Sequence, residues 1–462
     1  MYVKDTMIPE KLVTDIEALG GEVFLVGGAL RDELRVFCGQ YLEGNHKDFD
    51  YVVTKIELEK LHQLAEKYGK VDTIGRIFGI VRLIVKGVTI DLALPRKENS
   101  TGPKHKDFEI LSDPNIPIED DLIRRDFTIN AIARKVGSKV LIDPLGGLTD
   151  IKERRIRAVS SISFEEDPLR LLRACQFAAR FDYMIEDGTL AQMIKSSLAI
   201  KHIPKPRVKE ELDKLLLKAK KPSIGFVLMH KASLLEHILP DLAFCVNVGQ
   251  RTERHKYDVF VHQLIAMDYV GPNLLLRWSA LLHDIGKPVV KKLKDGKDTF
   301  YGHEIIGAQL AYNLLKNLTY SIDFANQVKL LVANHMFSYP TTDHGLRRFL
   351  KRIGVTNFEN LFTLRMADRV GTDSPPLSKG LMYFHKRTQA EIHKHPPLEI
   401  KDLAVSGKDI MNEFNIPEGK QIGIVLEHLF KKTLHTPEFN SRPALIELAR
   451  TYIETQPSAA KA

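Results

Sequence analysis

Apolar positions recur along the chain in two rhythms. Over residues 8–20, Leu12, Ile16 and Leu19 fall on one helical face. The run Val23 to Val26 is short and continuously apolar, which predicts a buried strand. Gly27 and Gly28 end it, and glycine lets a backbone turn sharply and approach a ligand closely. Arg31 and Asp32 follow on the first turn of a predicted helix. A polar stretch with Gly, Asn and His then leads to a second strand, Asp48 to Val53. Residues 56–69 predict a helix, and 71–94 predict strands around Gly75, Gly79 and Gly87. Asp143-Pro144-Leu145-Gly146-Gly147 reads as a turn and a hinge out of this first domain. From about residue 156 the pattern is helical. Residues 340–462 continue it with little readable chemistry, and the tail from Gln456 to Ala462 is expected to be disordered. The predicted fold is an α+β N-terminal domain, a small mixed sheet with helices, followed by all-α domains. The expected spans are 1–150, 151–245, 246–385 and 386–462.

Length and composition narrow the class. A chain of 462 residues holds several domains, and 44% hydrophobic with 27% charged residues is ordinary for a soluble globular protein. The net charge of +8 has the sign that suits a polyanionic partner. Cys38, Cys175 and Cys245 are scattered without a CxxC, so neither a zinc knuckle nor a disulfide framework is indicated. The N-terminal residues lack a secretory apolar region, and no apolar run approaches membrane-spanning length. Reduced cytoplasm is the expected compartment, with no membrane and no obligate protein partner evident.

The candidate chemistry sits on the predicted elements. Residues i and i+2 of a strand share a face, which puts Asp48 and Asp50 together, roughly 6–7 Å apart at Cα. Paired carboxylates suit Mg²⁺, a hard cation that takes oxygen ligands. A third acid, Asp91, lies in the strand-like run Ile90 to Leu94. Glycines for a triphosphate and three acids for two metals form the layout of a nucleotidyl transferase. Arg96 to Phe108 has the composition of a mobile basic loop, placed where it could gate substrate. In Glu119 to Ala133, Arg125 suits a phosphate and Asp126 or Asn130 a ribose hydroxyl; ion pairing within a helix is the competing explanation.

Asp167 and Arg170 are three apart at a predicted helix start. A carboxylate that accepts from an exocyclic amine, beside a guanidinium that donates to a ring nitrogen, accepts C and A and disfavours U and G. A helix cap paired with Arg170 is the plainer alternative. Lys201 to Lys221 carries eight basic residues against three acids and suits either an RNA backbone or a solvated face. Farther on, His262, His283-Asp284, His303, His335 and Asp368 all fall on helical segments. Imidazoles with carboxylates in that arrangement point to a transition-metal site.

The motifs GGALRD, DFD, EDDLIRRDFTINAIA, DPLGGLTDIKERRIRAV and EEDPLRLLRACQFAARF occur in this order. As a set they resemble class II tRNA nucleotidyltransferases, the CCA-adding enzymes, and the related bacterial poly(A) polymerases. The series His262, His283-Asp284, Asp368 resembles the HD phosphohydrolase superfamily. The resemblance covers roughly residues 20–370. It implies that 1–150 is a catalytic head, 151–245 a nucleotide- and RNA-binding region and 246–385 an HD domain. By it, Gly28 and Arg31 contact the triphosphate, and Asp48 and Asp50 hold two Mg²⁺ with Asp91 as third acid. Arg125 binds nucleotide, Asp167 with Arg170 reads the base and Arg173 supports it. His262, His283, Asp284 and Asp368 hold a transition metal such as Ni²⁺, Co²⁺ or Mn²⁺, with His303 and His335 as further candidates. The implied partners are CTP, ATP and the tRNA 3′ end, and the implied HD activities are phosphatase and 2′,3′-cyclic phosphodiesterase. The loop from Arg96 corresponds to one used in switching from C to A, which favours full CCA addition over a CC-only enzyme. Three features depart from the family pattern. The Asp32–Asp48 segment is longer, Gln176 stands where many relatives have Arg, and Lys205-Pro206-Arg207 leaves Arg207 without a role. A poly(A) polymerase, a partial CC- or A-adding enzyme, and an HD phosphohydrolase with an RNA-binding module remain the alternatives.

Overall fold

The computed structural model describes residues 7–40, 48–72, 79–100, 108–250 and 256–455. It divides between Ala243 and Phe244 into two compact units. In the first, α1 (Glu10–Ala18) buries Leu12 and Ile16 as their spacing predicts, together with Val13, while Leu19 falls past the helix end and is exposed. The strand β1 (Glu22–Val26) runs directly into α2 (Gly27–Phe37). Then come β2 (Asp48–Thr54), α3 (Leu58–Ala65), β3 (Lys70–Asp72), β4 (Ile80–Val85) and β5 (Val88–Ala93). A hairpin of β6 (Arg96–Ser100) and β7 (Phe108–Ser112) precedes α4 (Ile118–Ile123), β8 (Ala133–Lys135) and β9 (Leu141–Ile142). Seven strands form one mixed sheet in the order β3-β4-β5-β2-β1-β8-β9. Only β2 and β5 are parallel, and they set Asp50 opposite Asp91; the antiparallel β1–β2 pair sets Val26 opposite Asp50. Phe24, Val26, Val52, Ile118 and Leu122 pack on the same face of the sheet as Asp48 and Asp50, so a rigid apolar cluster flanks the acidic pair.

Two expectations change here. The predicted mobile loop begins and ends as a backbone-paired ribbon, from Arg96 opposite Ser112 to Ser100 opposite Phe108. Such a ribbon pairs through main-chain groups, so a polar run forms it without apolar alternation. Residues 101–107 of that loop lie outside the described residues. The run Glu119 to Ala133 is not one helix either. It stops after Ile123, and Asp126-Phe127 turns extended to bond the segment 157–159, before a single tight turn at Thr128–Asn130.

Helices then take over. They are α5 (Gly147–Lys152), α6 (Ser163–Glu166), α7 (Leu169–Phe181), α8 (Asp187–Ser196), α9 (Lys205–Lys218), α10 (Ser223–Lys231), α11 (Leu235–Ile238) and α12 (Pro240–Ala243). Asp143 accepts from the Gly147 and Leu148 amides at the start of α5, which makes the predicted turn a helix cap. The long helix α7 packs on α9 and α10.

The second unit is helical apart from one small hairpin. It comprises α13 (Val259–Tyr269), α14 (Leu274–Leu282), α15 (Lys287–Val290), α16 (His303–Asn317), α17 (Ile322–Asn334), α18 (Asp343–Ile353), α19 (Phe358–Gly371) and α20 (Lys379–His393). The last helices, α21 (Gly407–Phe414), α22 (Lys420–His435) and α23 (Arg442–Thr455), enclose a separate apolar cluster around Ile410, Val425, Leu429 and Leu445. One buried guanidinium joins these groups. Arg347 on α18 donates to Glu391 of α20 (2.6 Å) and to the terminal carbonyls of α22 at Leu434 (2.6 Å) and His435 (2.5 Å). Among the described residues no helix is long and apolar enough to cross a membrane.

Candidate active sites

In the first unit a cavity of about 490 Å³ opens beside the β1–α2 junction. Gly27 has φ +71°, and a Cβ on it would lie 3.0 Å from Asp50 Oδ2. Gly28 has no such constraint; its Cβ would meet only the Arg31 guanidinium at 3.6 Å. The tight turn thus belongs to Gly27, which brings the amino end of α2 against the acid pair. Asp48 and Asp50 share the exposed face of β2, as their spacing predicts. Asp50 lies deeper in the cleft. Partial burial, with Asp91 and Asp48 adding to it, raises its pKa above the usual Asp value, and Arg125 opposes the rise. Asp91 stands next to Asp50 in register, but Arg82 forks onto both its oxygens at 2.8 Å. The third acid is therefore held as an ion-pair partner on β4–β5, and Asp48 with Asp50 form the open pair.

The opposite wall is a chain of ion pairs. Arg31 donates through Nε and Nη2 to Asp32 and through Nη1 to Asn130 Oδ1 (2.7 Å). Asn130 donates to Asp126 (2.8 Å), and Arg173 donates to Asp126 through Nε and Nη2 (3.0 and 2.7 Å). Arg173 also faces Glu211 of α9 at 3.5 Å. Burial works against ionised Asp126, yet Arg173 and Asn130 outweigh it and hold the carboxyl below its usual pKa. Asn130 and Asp126 thus orient two arginines in addition to lining the cavity.

Asp167 and Arg170 also line it, but they do not take each other. Asp167 accepts from the Leu169 amide (3.1 Å) and faces Arg207 at 3.3 Å. Arg170 donates to Glu166 (2.9 Å), to Ser163 and to the Arg124 carbonyl (2.8 Å). The alternative of a capping Asp167 paired with Arg170 is half right: the cap exists and the pair does not. Arg207, left without a role in the sequence, is one partner of Asp167. Asp121 was also missed. It is fully buried, binds both Arg124 and Arg125, and accepts from the Arg96 amide that starts the β6–β7 ribbon. In the sequence it is one of three successive acids at a helix start, and nothing distinguishes it.

The second unit gathers all six predicted metal-site residues. His283 and Asp284 follow α14, His262 lies on α13, and Asp368 on α19. Gly371 permits the α13–α19 approach, since a Cβ there would lie 2.6 Å from His262 Nδ1. Gly286 does the same for α16, because its Cβ would strike the His303 carbonyl at 2.3 Å. The Asp284 carboxylate stands between two sets. Oδ2 is 3.3 Å from both His262 Nε2 and His283 Nε2, and Oδ1 is 3.2 Å from His303 Nε2 and 3.7 Å from His335 Nε2. Asp368 Oδ1 adds to the first set at 3.3 Å from His262. His283, His303 and His335 each direct Nδ1 at a main-chain carbonyl at 2.7 Å, which leaves Nε2 facing inward. Each triplet brings its donor atoms within 4.8 Å of one another, a donor set that fits a divalent transition metal.

The electrostatics agree. Burial alone would keep His283 neutral, but Asp284 and Asp368 lift its pKa to about 10, and they raise His262 as well. Lys287 contacts Asp284 Oδ2 at 2.6 Å. Lys287, Arg365 and Arg369 line the adjoining cavity of about 1100 Å³; sequence spacing offered no signal for the two arginines.

Residues 23–157 match the poly A polymerase head domain, 182–245 the probable RNA and SrmB-binding site of polymerase A, and 259–376 the HD domain. An A-adding tRNA nucleotidyltransferase of Deinococcus radiodurans is 33% identical over 71% of this chain and 78% of its own length. A multifunctional CCA protein of Janthinobacterium sp. is 34% identical over 68% and 73%. The crystal structure of the Bacillus stearothermophilus CCA-adding enzyme in complex with CTP shares the fold, with a TM-score of 0.70 over 96% of this chain and 98% of that one, at 20% identity. At the identity and coverage of the first two relatives, the chain belongs to the tRNA nucleotidyltransferase family, in the form that carries an HD domain.

Proposed function

We propose that the chain adds C, C and A to the tRNA 3′ end from CTP and ATP, without a nucleic-acid template. The observation that carries this is the Asp48–Asp50 pair facing the Gly27 turn across from Asp167 and Arg170. Two carboxylates at an anion-accepting turn suit Mg²⁺. Mg²⁺ held by Asp48 and Asp50 would lower the pKa of the attacking 3′-hydroxyl and steady the departing pyrophosphate. The residues do the rest. Asp48 and Asp50 place the charge, Gly28, Arg31 and Arg125 receive phosphate, and the Asp126–Arg173 pair fixes the far wall. To read a base, Asp167 exchanges Arg207 for the exocyclic amine while Arg170 turns a donor to the ring nitrogen. Residues 1–150, 151–245, 246–385 and 386–462 serve as head, RNA-binding region, HD domain and C-terminal region, in a cytoplasmic enzyme.

In the HD domain, Asp284 is suited to bridge two cation positions, one on His262, His283 and Asp368, the other on His303 and His335. Metal such as Ni²⁺, Co²⁺ or Mn²⁺ would there activate water for attack on a phosphate ester. Arg365 and Arg369 would face that ester, giving phosphatase or 2′,3′-cyclic phosphodiesterase activity on damaged RNA ends. A second reading is A-only addition, favoured by the Deinococcus relative. Transcripts ending before CCA, after C and after CC, each given CTP, ATP or both, separate the two. Extension that stops at CCA from all three supports the first reading, and extension of the CC end alone supports the second. Long A tails would make the chain a poly(A) polymerase.

A further inference from the structure

Along α7, Arg170, Arg173, Gln176, Phe177 and Arg180 all line the first-unit cavity. Steps of three and four put them on one helical face. The first two are tied to protein acceptors, as described above. The later donors are not. Gln176 is 1% exposed, and its Nε2 has no hydrogen-bond partner among the described residues. Arg180 is half-buried and makes neither an ion pair nor a hydrogen bond among the described residues, only a 5.2 Å contact with the Phe181 ring. Its charged neighbours are Arg31, Arg35 and Asp32, and Asp32 is already engaged by both of those arginines. From α9, Lys218 reaches the rim of the same cavity and likewise forms no ion pair among the described residues. Partial burial pushes Arg180 and Lys218 below their usual pKa values, helped by Arg31 and Arg35 for the first and by Arg180 and Lys214 for the second. A buried amide donor and an unpaired guanidinium in one cavity are groups that a native fold ordinarily satisfies. An acceptor-rich anion would satisfy both.

The position indicates which anion. Arg31 lies over the Phe177 and Phe181 rings at 5.4 and 4.6 Å, so the last turns of α7 stand level with the Gly27–Gly28 turn. Arg170, the base-reading candidate, is ten residues back, ~15 Å along the helix. A nucleotide with its base at Arg170 therefore sends its phosphates toward Arg180. Arg180 stands beside Arg31 and Arg35 at this end of the cleft, and such a local bunching of cations suits a compact polyanion better than an extended strand. We propose that Gln176, Arg180 and Lys218 form a polyphosphate subsite. It takes the β- and γ-phosphates of the incoming nucleotide and holds pyrophosphate before release. The proposal rests on the nucleotidyl-transfer reading of this cavity, and it offers a substitute for the arginine that Gln176 replaces.

The test compares wild type with Arg180→Gln, Arg180→Lys and the rim variant Lys218→Gln, all in the full chain. Calorimetry measures binding of Mg²⁺-pyrophosphate, steady-state assays give KM for CTP and ATP, and anisotropy gives Kd for tRNA. Losing one charge-assisted contact should weaken pyrophosphate binding and raise both KM values by about tenfold or more, with tRNA affinity unchanged. Arg180→Lys should recover part of the loss. Without ligand, Arg180→Gln should melt at or above the wild-type Tm, since a cation flanked by cations is removed, and it should lose the Tm rise that pyrophosphate gives wild type. Unchanged pyrophosphate affinity in both Arg180→Gln and Lys218→Gln overturns the subsite. So does a selective loss of tRNA affinity, which would assign these cations to the RNA backbone. If wild type binds pyrophosphate but extends no tRNA, the transferase reading fails while the subsite stands.

Discussion

Asp48 and Asp50 matter at the residue scale because, unlike Asp91 and Asp32, neither is closed by an arginine fork among the described residues. Replacing Asp48 by Ala should lower nucleotide addition ~10³-fold or more, the several kcal/mol that bound metal contributes to such a transition state, and should leave HD hydrolysis intact. Loss of both activities would refute two separate sites. Asp50 adds a pH signature. Its pKa is raised, so on a falling pH scale it takes a proton before an ordinary Asp does, and Mg²⁺ must displace that proton. The Mg²⁺ concentration giving half-maximal rate should therefore rise as pH falls, a trend read directly from Mg²⁺ titrations at several pH values. The stability sign is the reverse. A carboxyl with a raised native pKa costs the metal-free fold stability as pH rises, so Asp50→Asn should match or exceed the wild-type Tm while inactive. These acids were readable from the sequence because strand period two fixes their common face. Asp121 and Glu211 were not, since a buried acid that organises arginines looks like any other acid until its partners are known.

Elements decide how close the acids come to the turn. Gly27, at positive φ and against Asp50, should not tolerate a side chain: Gly27→Ala should cost about 1–2 kcal/mol in denaturant unfolding and displace Asp50. Gly28→Ala meets only the far end of Arg31 and should be the milder change in both Tm and kcat. Equal effects would mean that the turn is not what positions the acid pair. The strands β1, β2 and β5 and the helix α7 were legible because apolar runs and helical spacing mark them. The β6–β7 ribbon and the break after Ile123 were not. One pairs through main-chain atoms, and the other is imposed by a distant segment, 157–159, that the local pattern does not contain.

Across the whole molecule, the two candidate sites fall in two compact units. Metal analysis should find two transition-metal ions per chain, falling to one when His303 and His335 are both changed to Ala. His283→Ala should abolish metal-dependent phosphohydrolysis and spare nucleotide addition. Asp284 and Asp368 raise the pKa of His262 and His283 in the metal-free site, so metal competes there with protons. Apparent metal affinity should climb as pH rises, and calorimetry in buffers of different ionisation enthalpy should register the released protons. The sequence located every imidazole of this centre but not its geometry. His262 and His283 are 21 residues apart and His303 and His335 are 32 apart, and only helix packing through Gly286 and Gly371 shows that Asp284 lies between them.

Arg347 carries a consequence of another kind. Three helices, α18, α20 and α22, meet on one buried guanidinium, opposite an almost wholly enclosed Glu391. Such a junction makes unfolding cooperative, because α22 cannot detach without stranding a charge. With Arg347 in place the described second unit should melt in a single transition. Arg347→Met should split that transition in two and let the last three helices exchange their amide hydrogens on their own.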